Sequence, residues 1–551
     1  MQFKAMIQLP GDVARASEVA RVLIKYGLAR WLEGTEWEPI RRVLTSHTGA
    51  VLTDQTFPVR MRMALTDLGT TFIKLGQVLG TRPDLVGPDV AHELSKLQSS
   101  TPADPPEVAV ATVEKELGHP IAELFLEFNH EAMASASIGQ VHHARLLNGR
   151  RVVVKVQHPG IEQTIRRDLN ILTAFAEQAE QVVELKRYQP AAVVREFRET
   201  LMRELDFKRE MRNLLQFRRN FAADKTVVFP KPYPELSTAR VLTMQLIKGT
   251  SVGDAARLQE MHVDCEAMAR QGAGVFVQMI FRDRFYHADP HPGNILAMSK
   301  GRVGILDGGM VGRIDADLQQ RIVEVLLAAA DRDATRLADV IADLTKAPSN
   351  LDRGGLSDDL MEVFAQYGSQ SVGQFDIGGA LTAITRIIHE YNLLLPSRLS
   401  MLIKCLIVLE GTAKGLNANF NLAELLEPYR RQFVLQQMSP EALLRKAKRL
   451  KRDWETLAES IPRGVNNLLE QVQSGHLSVR VKHPPLERSV NRMVFGLCTS
   501  ALLIASAMLW VNQVPPRIFG VSVLGAAGYL AAAAMATRVL WQIKWERPKD
   551  D

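Results

Sequence analysis

Apolar residues recur at helical spacing near the start of the chain. Val19, Val22, Leu23, Tyr26, Leu28 and Trp31 share one side of a helix over Val13 to Leu32, with basic residues between them. That pattern predicts an amphipathic helix packed on the main domain. Residues 40–125 keep the helical period, broken near Pro83, Pro88 and Pro102 to Pro106. Residues 125–250 mix short strand-like runs with long charged helices. The clearest strand signal is Arg145 to Gln157, where Asn148-Gly149 predicts a two-residue hairpin turn followed by the β-branched run Val152-Val153-Val154-Lys155-Val156. Residues 255–440 read as mostly helical, with a strand-like stretch at Arg302 to Leu306 and a loop-like break at Ala347 to Gly355.

The far end changes character. Met493 to Pro516 carries no charge, and Ile518 to Thr537 is a second uncharged run. At about 1.5 Å per residue each is long enough to cross about 30 Å of hydrocarbon. Pro515, Pro516 and Arg517 separate them, and Gly520, Gly525, Gly528 and Ala531 to Ala534 suit close helix packing in lipid. Trp510, Trp541 and Trp545 sit near the ends. Arg488 and Arg492 precede the runs; Arg538, Lys544, Arg547 and Lys549 follow them. The expectation is a transmembrane helical hairpin with both ends, and the bulk of the protein, in the cytoplasm. Before it, Arg445, Lys446, Lys448, Arg449, Lys451 and Arg452 form a basic run. This is either a solvated helix face or a contact with anionic membrane lipid, worth about 1 kcal/mol per basic residue. The start of the chain shows no secretory signal.

Composition narrows the class. The 551 residues hold 67 Lys plus Arg against 61 Asp plus Glu, a formal charge of +6, too mild for a dedicated nucleic-acid binder. A hydrophobic share of 46% with 23% charged residues is that of a globular protein. Cys265, Cys405 and Cys498 are too few and too scattered for a disulfide framework, which points to a reducing compartment.

Five short segments carry candidate chemistry. Ala134-Ser135-Ala136-Ser137-Ile138-Gly139-Gln140-Val141 is a small-residue loop entering the hairpin that bears Lys155. Such a loop, with a Lys on the next strand, is an arrangement that covers ATP phosphates and pairs their charge. Only Gly139 enters positive φ cheaply there. His287-Ala288-Asp289-Pro290-His291-Pro292-Gly293-Asn294 places Asp289 five residues before Asn294, the spacing that aims an Asp at a nucleophile's proton while the Asn reaches a metal. Val303-Gly304-Ile305-Leu306-Asp307-Gly308-Gly309 delivers Asp307 from an apolar strand into a glycine turn, as suits a hard-oxygen Mg²⁺ ligand. Arg203 to Asn213 contains Glu204, Asp206 and Glu210; a buried Lys155 needs a carboxylate, and spacing alone leaves Glu204 and Glu210 both open. In Phe72-Ile73-Lys74-Leu75-Gly76-Gln77, Lys74 and Gln77 are helix neighbours, with a Gly between them that permits close approach.

Together these segments resemble the UbiB/AarF family of atypical kinase-like proteins, whose eukaryotic relatives support coenzyme Q synthesis. The distinguishing marks are Lys74-Leu75-Gly76-Gln77, the alanine- and serine-bearing loop, Glu204-Leu205-Asp206, and Asp289 through Asn294. The resemblance implies an α+β, two-lobed protein-kinase-like fold with a helical N-terminal extension and the C-terminal transmembrane hairpin. It divides the chain into an extension at 1–106, an N-lobe at 107–250, a C-lobe at 251–440, a basic juxtamembrane segment at 441–492 and the hairpin at 493–545. It implies ATP and Mg²⁺ as cofactors. Residues 134–140 and Lys155 would hold the nucleotide with Glu210 as helix carboxylate, Asp289 would accept a proton, and Asn294 and Asp307 would hold the metal. Lys74, Gln77, Glu204 and Asp206 would form a regulatory cover over the site. Such a cover hinders a protein substrate, so the implied activity is an ATPase supporting ubiquinone or isoprenoid-lipid synthesis at the bacterial inner membrane. The alternatives are a small-molecule or lipid phosphotransferase and a nucleotide-gated scaffold. Quinone precursors or quinone-biosynthesis enzymes are the implied partners, and the small-residue hairpin allows a homodimer. Two departures stand out. Gly308 replaces the usual Phe, which removes an apolar plug and frees the backbone at Asp307. Ser135 stands where the eukaryotic relatives tend to have alanine.

Overall fold

The structure is a computed structural model that describes residues 10–28, 55–97, 101–186, 188–368, 376–437, 486–512, 514–518 and 521–545. It divides into two units, Met1–Ala442 and Leu443–Asp551.

In the first unit, β1 (Phe125–Phe128), β2 (Ala134–Ser135), β3 (Gly139–Leu146) and β4 (Arg151–Gln157) form an antiparallel sheet. The chain then contributes β5 (Val227–Val228) to a second sheet and returns as β6 (Val241–Gln245) beside β4, giving the order β1-β3-β4-β6. Val152, Val154 and Val156 alternate into a core with Val113, Phe125 and Val241, which turns Lys155 to the opposite face. The Asn148-Gly149 turn differs from the two-residue form its sequence predicts. Gly149 N–H donates to the Leu146 carbonyl at 2.8 Å and Leu146 N–H to the Arg150 carbonyl at 2.9 Å, with Gly149 at φ 78°. This is a three-residue loop closed by a left-handed glycine, so only the glycine needs positive φ.

The N-terminal helices α1 (Pro10–Lys25), α2 (Phe57–Leu68), α3 (Thr70–Leu79) and α4 (Pro88–Leu94) pack on α5 (Ile161–Ala179) and α6 (Pro190–Glu204). The helical run breaks near the prolines as expected, and Pro83, Pro88 and Pro106 each open the next helix, where a missing N–H costs nothing. Ala16, Val19, Leu68, Phe72 and Leu75 share one core with Ile165, Leu169, Phe197 and Leu201. Arg15 reaches across it, donating from Nε to Asp168 at 2.9 Å and from a terminal nitrogen to the Leu68 carbonyl at 2.6 Å. The first helix therefore docks on the main domain as its pattern predicts, but it ends at Lys25, so Tyr26 and Leu28 follow it rather than belong to it; Trp31 lies outside the described residues.

After α7 (Phe207–Asn220), the C-terminal half is built around α8 (Cys265–Phe281) and α9 (Ser397–Leu416). Its sheet runs β5-β10-β9-β7, with β7 (Thr250–Ser251), β9 (Ile295–Met298) and β10 (Arg302–Ile305). A two-stranded ribbon pairs β8 (Phe285–His287) with β11 (Val311–Arg313). Phe276, Ile280, Tyr286, Ile305, Leu402 and Leu409 form the core beneath both. A Cβ at Gly312 would strike the Tyr286 ring, so that ribbon position requires glycine.

The second unit contains α10 (Leu486–Val511) and α11 (Val523–Trp545), joined through the short strands β12 (Arg517–Ile518) and β13 (Val521–Ser522). The helices meet closely: a Cβ on Gly525 would lie 3.1 Å from the Trp510 nitrogen, and Trp510 meets Tyr529 edge-on at 5.7 Å. The transmembrane hairpin expected here is corrected. Among the described residues no helix is long and apolar enough to cross a membrane. The runs are free of charge but rich in Ala, Gly, Ser and Thr, which add little to transfer into hydrocarbon. The basic run from Arg445 to Arg452 lies outside the described residues.

The Asp168 side chain is only 2% exposed, so its removal takes the buried carboxylate from Arg15 and leaves it Glu18 and the Leu68 carbonyl. Asp168→Ala should cost about 3 kcal/mol in urea unfolding, and adding Arg15→Ala should recover part of that loss.

Candidate active site

Lys155 sits on β4 facing α7 and the turn that follows β10. Its Nζ donates to Glu210 Oε2 at 2.8 Å, lies 3.9 Å from Asp307 Oδ1, and stands 5.1 Å from the Phe207 ring centre. Burial opposes the Lys155 charge, but the Glu210 and Asp307 carboxylates outweigh it and raise its pKa. Burial pushes Glu210 up to about 7; Lys155 opposes this and Asp307 adds to it. Burial would also raise Asp307, yet the ammonium of Lys155 and the contact with Glu210 hold it below the usual carboxylate range.

The choice that spacing left open between Glu204 and Glu210 is settled by a break in the helix. Glu204 is the last residue of α6, and Asp206 caps α7 by accepting from the Lys208 amide at 3.0 Å. The break sends the two glutamates to different partners. Glu210 takes Lys155, while Glu204 pairs with Lys74 on α3 at 2.9 Å. Lys74 is also close enough to Asp307 and Lys155 for their charges to act on it. Burial disfavours its ammonium, and Glu204 more than restores it. Gln77 donates to the Leu97 carbonyl at 3.1 Å. Asp206 meets Arg212 at 3.5 Å, on the outer side of α7.

The loop at 134–140 is a tight hairpin rather than an open coil. Ser135 pairs with Gln140, and the Ala136 amide donates to the Gly139 carbonyl at 3.0 Å. Gly139 does not adopt positive φ; its glycine is needed because a Cβ would collide with the Val156 carbonyl. Ile138 at the tip is buried in the same core as Phe72 and Leu75 of α3. Sequence reading missed the clamp on this loop. His158 Nδ1 lies 2.7 Å from Asp104 Oδ2 and its Nε2 lies 2.8 Å from the Ala136 carbonyl, while the Asp104 amide donates to Gln140 Oε1 at 2.6 Å. A histidine directly after the Lys155 strand was the available signal. Ser137 is buried, and Ser135 Oγ and Gln140 Nε2 are buried without a hydrogen-bond partner.

Asp289 and Asn294 close the other wall. Asn294 Nδ2 donates to the Asp289 backbone oxygen and to its Oδ2, both at 3.1 Å. The Asp289 amide donates to His287 Nδ1 at 3.1 Å, and burial lowers the His287 pKa, keeping that nitrogen an acceptor. Thr412 and Ser251 fasten the loop by donating to the carbonyls of Pro290 and Pro292 at 3.0 and 2.9 Å. The antiparallel pair β9–β10 spans the distance from this loop to Asp307. Sequence reading also missed Lys404 on α9, a half-buried lysine whose pKa is lowered by burial and which feels the charge of Asp289.

Asp307 Oδ1 accepts from the Gly308 and Gly309 amides at 2.9 and 3.1 Å. The space left by the missing Phe is taken by α7 itself. A Cβ at Gly308 would lie 2.9 Å from Leu214 Cγ and 3.2 Å from the Glu210 carbonyl, and Asn213 Nδ2 donates to the Gly308 oxygen at 2.9 Å. Among the described residues no cluster of three His, Cys, Asp or Glu side chains could hold a metal alone. Asn294 and Asp307 offer two hard oxygen donors, a set that fits an ion whose remaining ligands are phosphate and water, as Mg²⁺ prefers. The unpartnered Ser135 and Gln140 donors fit a phosphate-bearing ligand.

A lysine–glutamate pair linking a sheet to a helix, with an Asp/Asn loop and an Asp-Gly strand end opposite, defines an atypical kinase-like protein. The chain matches the ABC1 atypical kinase-like domain over residues 96–341, the UbiB helical domain over 360–421, and the ABC1/UbiB kinase-like C-terminal domain over 485–545. It is 31% identical over 525 residues to a "Probable protein kinase UbiB" of Pseudomonas aeruginosa, covering 91% of this chain and 95% of that protein. It is also 31% identical over 520 residues to a protein of the same name from Xanthomonas campestris, covering 90% and 93%. The chain belongs to the UbiB family.

The fit of α7 against Gly308 gives a direct test. Gly308→Ala should lower stability by about 1–3 kcal/mol in thermal unfolding, because Leu214 and the α7 backbone must retreat. Gly309→Ala, whose Cβ would sit 3.4 Å from the Asp307 carboxylate, should lose far less.

Proposed function

We propose that this UbiB-family protein is an ATP- and Mg²⁺-dependent kinase-like ATPase that supports ubiquinone or isoprenoid-lipid biosynthesis. The observation that carries this reading is the convergence of five residues spread over about 150 positions: Lys155 pairs with Glu210 and lies near Asp307, the Leu306 amide beside Asp307 donates to the Asn294 carbonyl at 3.0 Å, and Asn294 holds Asp289. Lys155, held by Glu210, would bind phosphate oxygens. Asn294 and Asp307 would hold Mg²⁺, which supplies charge neutralisation on the phosphates. Asp289, oriented by the Asn294 amide, would accept the proton of the attacking water or hydroxyl. The ion pair from Lys74 to Glu204 supports an ATPase over a protein kinase, since it ties α3 to the edge of the site that a protein substrate would need. The quinone assignment draws on the name of the relatives. Quinone precursors are the proposed small-molecule partners. The proposed location is the cytoplasmic face of the inner membrane, through contact of the basic run at 445–452 with anionic lipid.

A small-molecule phosphotransferase is the second reading. It is favoured by a cavity of about 220 Å³ lined by Thr81, Ser95, Thr385, Ser400, Lys404 and Val408, among others. Ser400 Oγ is buried there without a partner, and the charge of Asp289 acts on Lys404.

With purified protein, Mg²⁺ and labelled ATP, Asp307→Asn should reduce turnover by about 10³-fold. Unchanged turnover in that variant would remove the site from the reaction. Label appearing on an added phenolic acceptor would favour the second reading. Lys74→Ala should open the covered edge and increase autophosphorylation; identical labelling of wild type and variant would refute the covering role.

A further inference from the structure

On the outer side of α7, away from Glu210, a cavity of about 420 Å³ is lined by Arg209, Arg212, Asn213, Gln216, Arg219 and Arg313, together with Leu215. Arg209, Arg212, Gln216 and Arg219 follow at intervals of three, four and three, so they form one stripe of the helix. Arg313 comes from β11. Four guanidinium groups therefore share one concavity that no carboxylate lines. Among the described residues, only Arg212 of the four has an acidic partner, Asp206 at the margin. Arg219 is held in place by Gln216 Oε1 at 2.7 Å, and Arg313 lies over the Phe285 ring at 4.7 Å. These contacts position the two groups without neutralising them.

Only Arg219, in the last turn of α7, and Arg212, beside Asp206, gain from their places in the helix. Like charges three residues apart repel. Arg209 stands in the first turn of α7, beside the positive end of the helix dipole, where a cation is disfavoured. An anion in the cavity relieves both penalties, and guanidinium forks match phosphate oxygens in pairs. Asn213, at the edge of the same wall, holds the Gly308 carbonyl, so one residue borders both the cavity and the Asp307 turn.

We propose that this arginine-lined cavity is a second ligand site, separate from the Lys155 cleft, that binds a phosphate or diphosphate group. The group is borne either by a small soluble molecule or by a lipid headgroup.

The test is calorimetric titration of the full chain with inorganic pyrophosphate at low salt and without Mg²⁺, beside flotation with phosphatidylcholine vesicles containing or lacking phosphatidylglycerol. The wild type should bind pyrophosphate with an affinity that falls as salt rises. The double variant Arg219→Gln, Arg313→Gln should bind at least about tenfold more weakly while keeping the wild-type melting temperature. Lys155→Ala should bind as the wild type does. Flotation that depends on phosphatidylglycerol and on the two arginines, with no heat from pyrophosphate, assigns the group to a headgroup and also supports the site. Two results overturn the proposal: binding lost in Lys155→Ala but retained in the arginine variant, or neither probe distinguishing the arginine variant from the wild type.

Discussion

A lysine ammonium withdrawn from water must be matched by carboxylate, and the catalytic half of this protein is arranged around meeting that need at Lys155. The charge sits on a strand whose other face is fixed in an apolar core, so the lysine cannot turn away. Glu210 therefore has to come to it, and with Glu210 comes the whole of α7. Once α7 is set at that height, its Leu214 side chain and backbone press on Gly308, and its Asn213 holds the Gly308 carbonyl. The position of Asp307 follows from the position of the helix. Lys155 on one sheet and Asp307 just past the end of a strand of another are brought within 3.9 Å by this chain of contacts.

The N-terminal extension is attached to the same assembly by three different kinds of contact. Lys74 pairs with Glu204 in one ion pair. Ile138 plugs the tip of the 134–140 hairpin into the core that α3 completes. Asp104 braces His158, which meets the Ala136 carbonyl of the hairpin, and the Asp104 amide donates to the Gln140 side chain. The extension thus shapes the loop that would lie on a nucleotide, as well as covering its edge. Gly76 allows this packing: side chains fill the space where its Cβ would stand, Leu65 Cδ1 at 2.8 Å among them.

Much of the site was legible in the chain because it consists of short segments with fixed internal spacing. The five-residue interval from Asp289 to Asn294, the apolar strand into Asp307 and the lysine in a valine run each mark a local geometry, and local geometry is what spacing encodes. The partners were less legible. Glu204 and Glu210 were equivalent in sequence, and a single non-helical residue pair between α6 and α7 separated their roles. Lys404 and Asp104 carry no local pattern; they matter because α9 and the 101–105 segment pass the site, and His158 is marked only by following the Lys155 strand. The uncharged C-terminal runs misled for a related reason. Lack of charge is visible in sequence, but the small side chains that fill those runs are suited to helix-on-helix contact, and they bring the pair together through Gly525 and Trp510.

By itself the sequence determined the alternation of the N-lobe strands, the docking face of the first helix, the helix starts at proline, and which residue types could handle phosphate and a hard cation. These follow from periodicity and covalent stereochemistry, which act over a few residues. Tertiary structure alone decided which glutamate answers which lysine. It also decided that Gly139 and Gly308 are glycines for want of room rather than for φ, and that four arginines face one cavity. Those outcomes depend on the distance between surfaces far apart along the chain, and that distance is set only when the buried charges and cores are satisfied together.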